Sequence, residues 1–257
     1  MKAGPLLFNP ARVLVHAMKQ MLFLLAMMFA VPAHAQVKPP WFNPAADYVT
    51  PGQDEPGYRA WVRGDPYRPM YVKAYNDYLA HNGVGGVVPT WQLLRTATDW
   101  RRCGAQPFEV PPTTTWPNIV AALRFIGMFI EPVVGDVEPV SAYRNALLND
   151  CAKGAQESTH RIARAMDLVP LRPINRESLM VALCRIQVDK GSWNAIGLGF
   201  YKGLRFHIDS KKYREWGAAG LRGGYGCGAV IAEGAMPFVQ PASEAAAQAI
   251  DPLSPRP

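Results

Sequence analysis

Four cysteines, Cys103, Cys151, Cys184 and Cys227, constrain this 257-residue chain more than any other feature, because their number is even and no two stand in a C-x-x-C pair. Without that spacing there is neither a zinc-ribbon pattern nor a thioredoxin-like redox turn, and disulfides become the expected use. Disulfides need an oxidising compartment, and the N-terminus indicates the route to one. Lys2, Arg12 and Lys19 precede an uncharged run from Met21 to Ala33, and Ala33-His34-Ala35 has the small-x-small form of a cleavage site. We expect residues 1–35 to be a secretory signal peptide, with the remainder exported to the periplasm or cell envelope. The apolar run is shorter than the roughly 20 residues that span a bilayer, and no later segment approaches that length, so no transmembrane segment is expected in the mature chain. No cysteine follows the cleavage site to carry a lipid. Three disulfide pairings are open to the sequence. Cys103–Cys151 with Cys184–Cys227 is the expected one, because each bond would tie a flanking segment onto the centre of the chain, typically for ~2–4 kcal/mol.

Export also changes the charge argument. The formal charge of +7 suits an anionic partner. Loss of residues 1–35 removes three bases and no acid, leaving 24 basic against 20 acidic residues, a net +4. A nucleic-acid partner is therefore not expected. Gly83-Val-Gly-Gly and Gly223-Gly-Tyr-Gly lack the strand, glycine turn, helix grammar of a nucleotide loop. With 49% hydrophobic residues the chain can bury a core.

Residues 36–110 read as an aromatic, Pro-rich arm to about Gly64, without periodicity, followed by helices near Met70–Ala80 and Trp91–Trp100. From 111 to 217 the pattern is mixed. A helix opens at Thr115-Trp116-Pro117 with Ile119, Leu123, Ile126 and Ile130 on one face, and strands are expected at Val137–Ser141 and Met166–Val169. A short helix is expected over Ala146–Lys153. Asn175 reads as the N-cap of a helix that ends at Gly191. Ile196–Tyr201 and Leu204–Asp209 form a hairpin turning at Lys202-Gly203. Residues 218–257 read as a Gly-, Ala- and Pro-rich tail. The fold class expected is α+β, a small antiparallel sheet with flanking helices.

Three histidines remain after the signal peptide. His81 closes a helix and reads as a surface or capping residue. His160 is followed seven residues later by Asp167, which opens an apolar strand. In Leu204-Arg-Phe-His-Ile-Asp209, alternation puts Leu204, Phe206 and Ile208 toward the core and Arg205, His207 and Asp209 on the opposite, exposed face. Two imidazoles and one carboxylate make a three-ligand set for Zn²⁺ that leaves the fourth position open to water. On spacing alone, a salt-bridged aspartate and two polar histidines remain the competing reading. Tyr143 and Trp216 read as buried packing residues.

The wider pattern runs Ser141-Ala-Tyr-Arg144, Ser158-Thr-His160, Asp167, Gly197-Leu-Gly-Phe-Tyr201, Phe206-His207-Ile-Asp209 and Arg214-Glu-Trp216. Over residues 137–216 it resembles the zinc D-alanyl-D-alanine carboxypeptidases and murein endopeptidases of the hedgehog/DD-peptidase superfamily. The resemblance implies that His160, Asp167 and His207 ligate one zinc per chain and that Arg144 contacts the substrate carbonyl or carboxylate. It places Ser158 at the site edge, bonding substrate or shaping the loop, and makes peptidoglycan stem peptides the partner. Two glycines common in the family are Ala142 and Ala163 here, acceptable where the backbone avoids positive φ. Several branches carry a carboxylate or histidine three or two residues before the last ligand, and here those positions are Leu204 and Arg205. Asp209 is the stand-in as general base or, equally, the partner that orients an imidazole. Glu157, Asp189 and Glu215 are further candidates. The expected function is an exported zinc metallopeptidase acting on D-amino-acid-containing bonds of peptidoglycan. A non-catalytic cell-wall-binding module that keeps the fold is the alternative.

Overall fold

Period-two alternation in three adjacent strands sorts the sheet into two unlike faces. This is a computed structural model, and it describes residues 41–218 and 226–234. Five strands, β1 (Val137–Ser141), β2 (Ala165–Pro170), β3 (Gly197–Phe200), β4 (Phe206–Asp209) and β5 (Arg214–Trp216), stand in the order β1-β2-β4-β3-β5. Met166 and Leu168 of β2, Leu198 and Phe200 of β3, and Phe206 and Ile208 of β4 join the main hydrophobic core. The alternate residues, Asp167 and Val169, Gly197 and Gly199, His207 and Asp209, make the other face. The signal peptide expected over 1–35 and the end of the tail lie outside the described residues.

Helices supply much of the rest of the main core, from α1 (Glu55–Arg63), α2 (Arg68–His81), α3 (Thr90–Leu93), α4 (Pro117–Val134), α6 (Arg176–Ile186) and α7 (Cys227–Glu233), while α5 (Ala146–Cys151) lies outside it. Ile119, Leu123, Ile126 and Ile130 of α4 are buried, as their spacing requires. The helix passes through a π-helical segment at Ile126–Ile130. By length and composition α4 could cross a membrane, contrary to the expectation that no segment after the leader approaches that length, but a core helix passes the same test. Asn175 caps α6 by accepting from the Ser178 amide at 2.8 Å. His81 ends α2 exposed. Cys103–Cys151 and Cys184–Cys227 are the two disulfides, and the second ties α7 to α6.

Further features differ from the sequence expectation: the helix expected over Trp91–Trp100 stops at Leu93, after which Arg95 bridges Phe108. The arm contains α1, because Asp54 accepts from the Gly57 amide and Pro56 occupies the first turn, where its missing N–H is harmless. Residues on both sides of position 110 share one core, with Trp61, Tyr75, Leu79 and Phe108 in one cluster with Ile119 and Leu123. The sheet is not purely antiparallel, since β5 pairs parallel to β3. The stretch taken for tail carries α7, whose Cys227 and Val230 are buried.

Glu131 of α4 supplies a pH test. Partial burial and the neighbouring Asp136 charge push its carboxyl up from 4.5 to about 7. The folded state therefore holds a proton that the unfolded state releases near 4.5, and this contribution to stability is lost as pH rises through about 7. Glu131→Gln, neutral at every pH, is expected to match the parent near pH 4.5 and to exceed its Tm above pH 7 in thermal melts across that range.

Candidate metal centre

The register of three strands assembles the site before any loop contributes. Asp167 pairs directly with His207, and His207 with Gly199, in adjacent antiparallel ladders. Cross-strand neighbours stand close enough for their side chains to meet. The two glycines of β3 keep this face open. A Cβ on Gly197 would lie 2.3 Å from Asp209 Oδ2, and one on Gly199 would lie 2.0 Å from the Trp216 ring. The third group arrives on a 3₁₀ turn, Thr159–Ile162, which Ser158 caps by accepting from the His160 amide at 3.4 Å. Ala163 closes that turn with φ +49°, so the residue that replaces a glycine does occupy the left-handed region, where L side chains are disfavoured. Ala142 has no such strain.

His160 Nε2, His207 Nδ1 and Asp167 Oδ1 form a near-equilateral triangle with edges of 3.2, 3.0 and 3.3 Å. Tetrahedral zinc with ligands at ~2.0–2.1 Å has donor–donor separations of about 3.3–3.4 Å, so the triangle has the right size. The outer nitrogens decide what the inner ones present. His160 Nδ1 stands 2.6 Å from Ala142 O, a carbonyl that only accepts, so this nitrogen carries the proton. His207 Nε2 likewise donates to Asp209 Oδ2 at 3.0 Å. Burial, opposed and outweighed by the His207 and Arg214 hydrogen bonds, leaves the Asp209 carboxyl at about 2, an acceptor at neutral pH. Two imidazole lone pairs and a carboxylate oxygen thus converge in a buried space, an arrangement that is repulsive unless a proton or a metal cation fills it.

The titration directions agree. Burial first, and then the Arg144 charge, lower His160 to about 4, keeping it neutral. Asp167 is held well below the usual carboxylate range by His160 and His207 despite its burial. Burial alone would lower His207, but its hydrogen bonds to Asp167 and Asp209 outweigh it and raise the pKa. A metal entering the triangle would displace that proton. The group His160, Asp167 and His207 can therefore hold a metal ion.

Around this centre the structure sorts the other candidates. Arg144 lies 3.6 Å from Asp167 Oδ2 and lines a cleft of about 240 Å³ over the triangle, with Glu157, Ser158, Tyr201, Arg214 and Trp216. Asp209 does not line that cleft. It is fully buried behind His207, where it accepts from Arg214 at 2.6 Å and from the Lys211 amide at 2.9 Å. The strand face expected to be exposed is therefore covered, with His207 and Asp209 both buried. Asp189 pairs with Lys190 on the surface, and Glu215 accepts from Tyr213 and the Cys227 amide. Tyr143 is buried as expected, whereas Trp216 is only half-buried, its ring 5.5 Å from His207. Sequence reasoning gave no role to Tyr201, whose hydroxyl donates to Asp167 Oδ1 at 3.1 Å, or to Arg214. Tyr201 directly follows β3 in the turn toward β4, and that position was the available signal. Comparison with protein-family models, curated proteins and solved structures found no match to this chain.

His160→Ala and His207→Ala are expected to bind no stoichiometric metal by elemental analysis while keeping the fold by circular dichroism. Asp209→Asn is expected to keep one metal at saturation with affinity lowered about 10–100-fold, because the orienting carboxylate is lost. In the parent, chelation should lower Tm and added Zn²⁺ restore it.

Proposed function

We propose that this chain is an exported zinc metallopeptidase of the hedgehog/DD-peptidase type, cleaving D-amino-acid-containing peptide bonds in peptidoglycan stem peptides or cross-links. The observation that carries the reading is the convergence of two imidazole nitrogens and a carboxylate oxygen at the resemblance's ligand positions, with both histidines lining a cleft that also presents Arg144 and Glu157. The two disulfides support an oxidising destination such as the periplasm. Zinc supplies Lewis acidity toward a carbonyl and acidifies water. The chain's residues supply the rest. Arg144, already pointing at the centre, offers a guanidinium fork to the carbonyl oxygen as it gains charge. Tyr201 and Asp209 hold Asp167 and His207 in place from outside the triangle. Asp209 is committed to that orienting bond, so proton transfer falls to Glu157, the one carboxylate among the described residues that line the cleft. Its side chain is 91% exposed and pairs with Lys211 at 3.5 Å, a surface contact that lets it reach a water and then the leaving amine.

A second reading, a cell-wall-binding module without catalysis, is favoured by Leu204 and Arg205 standing where related enzymes carry their base. Mass spectrometry of soluble products from peptidoglycan separates the two. Zinc-loaded parent is expected to release free D-Ala or split cross-linked dimers, and His207→Ala neither. Glu157→Gln should keep its metal and lose about 10²–10⁴-fold in kcat. Full activity in Glu157→Gln would remove it as the proton carrier, and no products from the parent would favour the binding module.

A further inference from the structure

Beyond Arg144 and Tyr201, which also wall the cleft over the triangle, lies a second cavity of about 250 Å³. Its lining includes Ser141, Arg144, Lys153, Tyr201 and Arg205. Three cations face it against two acids: Asp99 pairs with Arg102 at 2.9 Å, and Asp167 belongs to the ligand triangle with its Oδ2 3.6 Å from Arg144, which leaves Lys153 and Arg205. Arg205 makes no ion pair and no side-chain hydrogen bond with a described residue. Its guanidinium is held instead by two rings, 3.8 Å from the Tyr201 centroid and 4.6 Å from that of Tyr48. Tyr48 is fixed in turn by its hydroxyl, which donates to Lys202 O at 3.0 Å. Ser141 Oγ, Arg144 Nε and Arg205 Nε are all buried without a hydrogen-bond partner. The Arg205 guanidinium therefore lines the cavity with its charge unpaired among the described residues, and an anion there would pair it. Aromatic clamping pre-organises a guanidinium without neutralising it.

We propose that this cavity is a carboxylate-binding subsite in which Arg205, with Arg144 as the shared wall, receives the carboxylate of a ligand whose other end lies over the metal centre. Two planar forks suit a carboxylate, which each can grip with paired N–H donors. Arg205 is then the specificity-determining residue. The subsite stands without catalysis. Only the next step rests on the peptidase reading: a bond cut beside this subsite has a free carboxylate close by, which favours a carboxypeptidase over an endopeptidase.

The test is calorimetric titration of the chain with N-acetyl-D-alanine and with its amide, each in chelator-stripped and zinc-loaded protein. The acid is expected to bind in both states, and the amide at least about tenfold more weakly. Arg205→Gln should weaken the acid at least about tenfold, equivalent to ~1.4 kcal/mol, without changing the amide, and Arg205→Lys should fall between. Equal binding of acid and amide, no effect of Arg205→Gln, or acid binding only with zinc present would each overturn the subsite. The acid–amide comparison in the unsubstituted chain does not depend on a variant folding. Failure of the peptidase reading would show separately, as acid binding without product release from peptidoglycan.

Discussion

The pairing of Asp167 with His207 across β2 and β4 is the constraint on which the rest of the structure depends. A slip of one residue would turn these metal-ligand candidates toward the main core and bring Met166 and Ile208 out onto the site face. The apolar face and the ligand face are therefore two consequences of one register, and the hydrophobic core that holds the sheet also holds the metal-binding geometry. The glycines of β3 belong to the same arrangement, since any side chain there would displace Asp209 or Trp216.

What could be read from the residues was whatever repeats locally. Alternation placed His207 and Asp209 together, the Asn175 cap opened α6, and the helical stripe of α4 marked its buried face. The His160–Asp167 spacing found two of the three metal-ligand candidates. What could not be read came from long-range cover and from parallel pairing. Burial of the ligand face depends on the His160 turn, Tyr201 and Trp216 folding over it, and no period in β4 reports that. The role of Asp209 turned on Arg214 five residues later and on the Lys211 amide, which together fix it behind the imidazole. α1 was hidden because Pro56-Gly57 reads as a break unless the Asp54 cap beside it is weighed.

The N-terminal arm reaches the site through buried polar contacts. Arg95 donates to Glu138 and Pro139 O at 2.8 Å and to Gln53 O at 2.9 Å, while the Gln53 side chain bonds Ala97 O and Pro107 O. A buried ion pair adds little net stability when its desolvation is counted, but removing one partner would strand the other. Its effect here is positional. It joins the arm to edge strand β1, and Thr98 adds a hydrogen bond to Tyr48 O. The arm thereby sets the Tyr48 ring against Arg205, so a segment remote in sequence shapes the cavity beside the metal centre.

The division of labour among the carboxylates follows from where each sits relative to the triangle. A proton carrier must reach a water on the open side, whereas Asp209, two residues from His207 on the same sheet face, is buried behind the imidazole. Asp209 there can fix a tautomer and nothing further, because its oxygens are engaged by His207, Arg214 and the Lys211 amide. The open side is bordered by the loop that carries His160, and Glu157 lies on that loop three residues before the ligand. On the proposed reading the same loop presents both a metal-ligand candidate and the proton carrier, while Arg205, two residues before His207, serves charge recognition in the adjoining cavity.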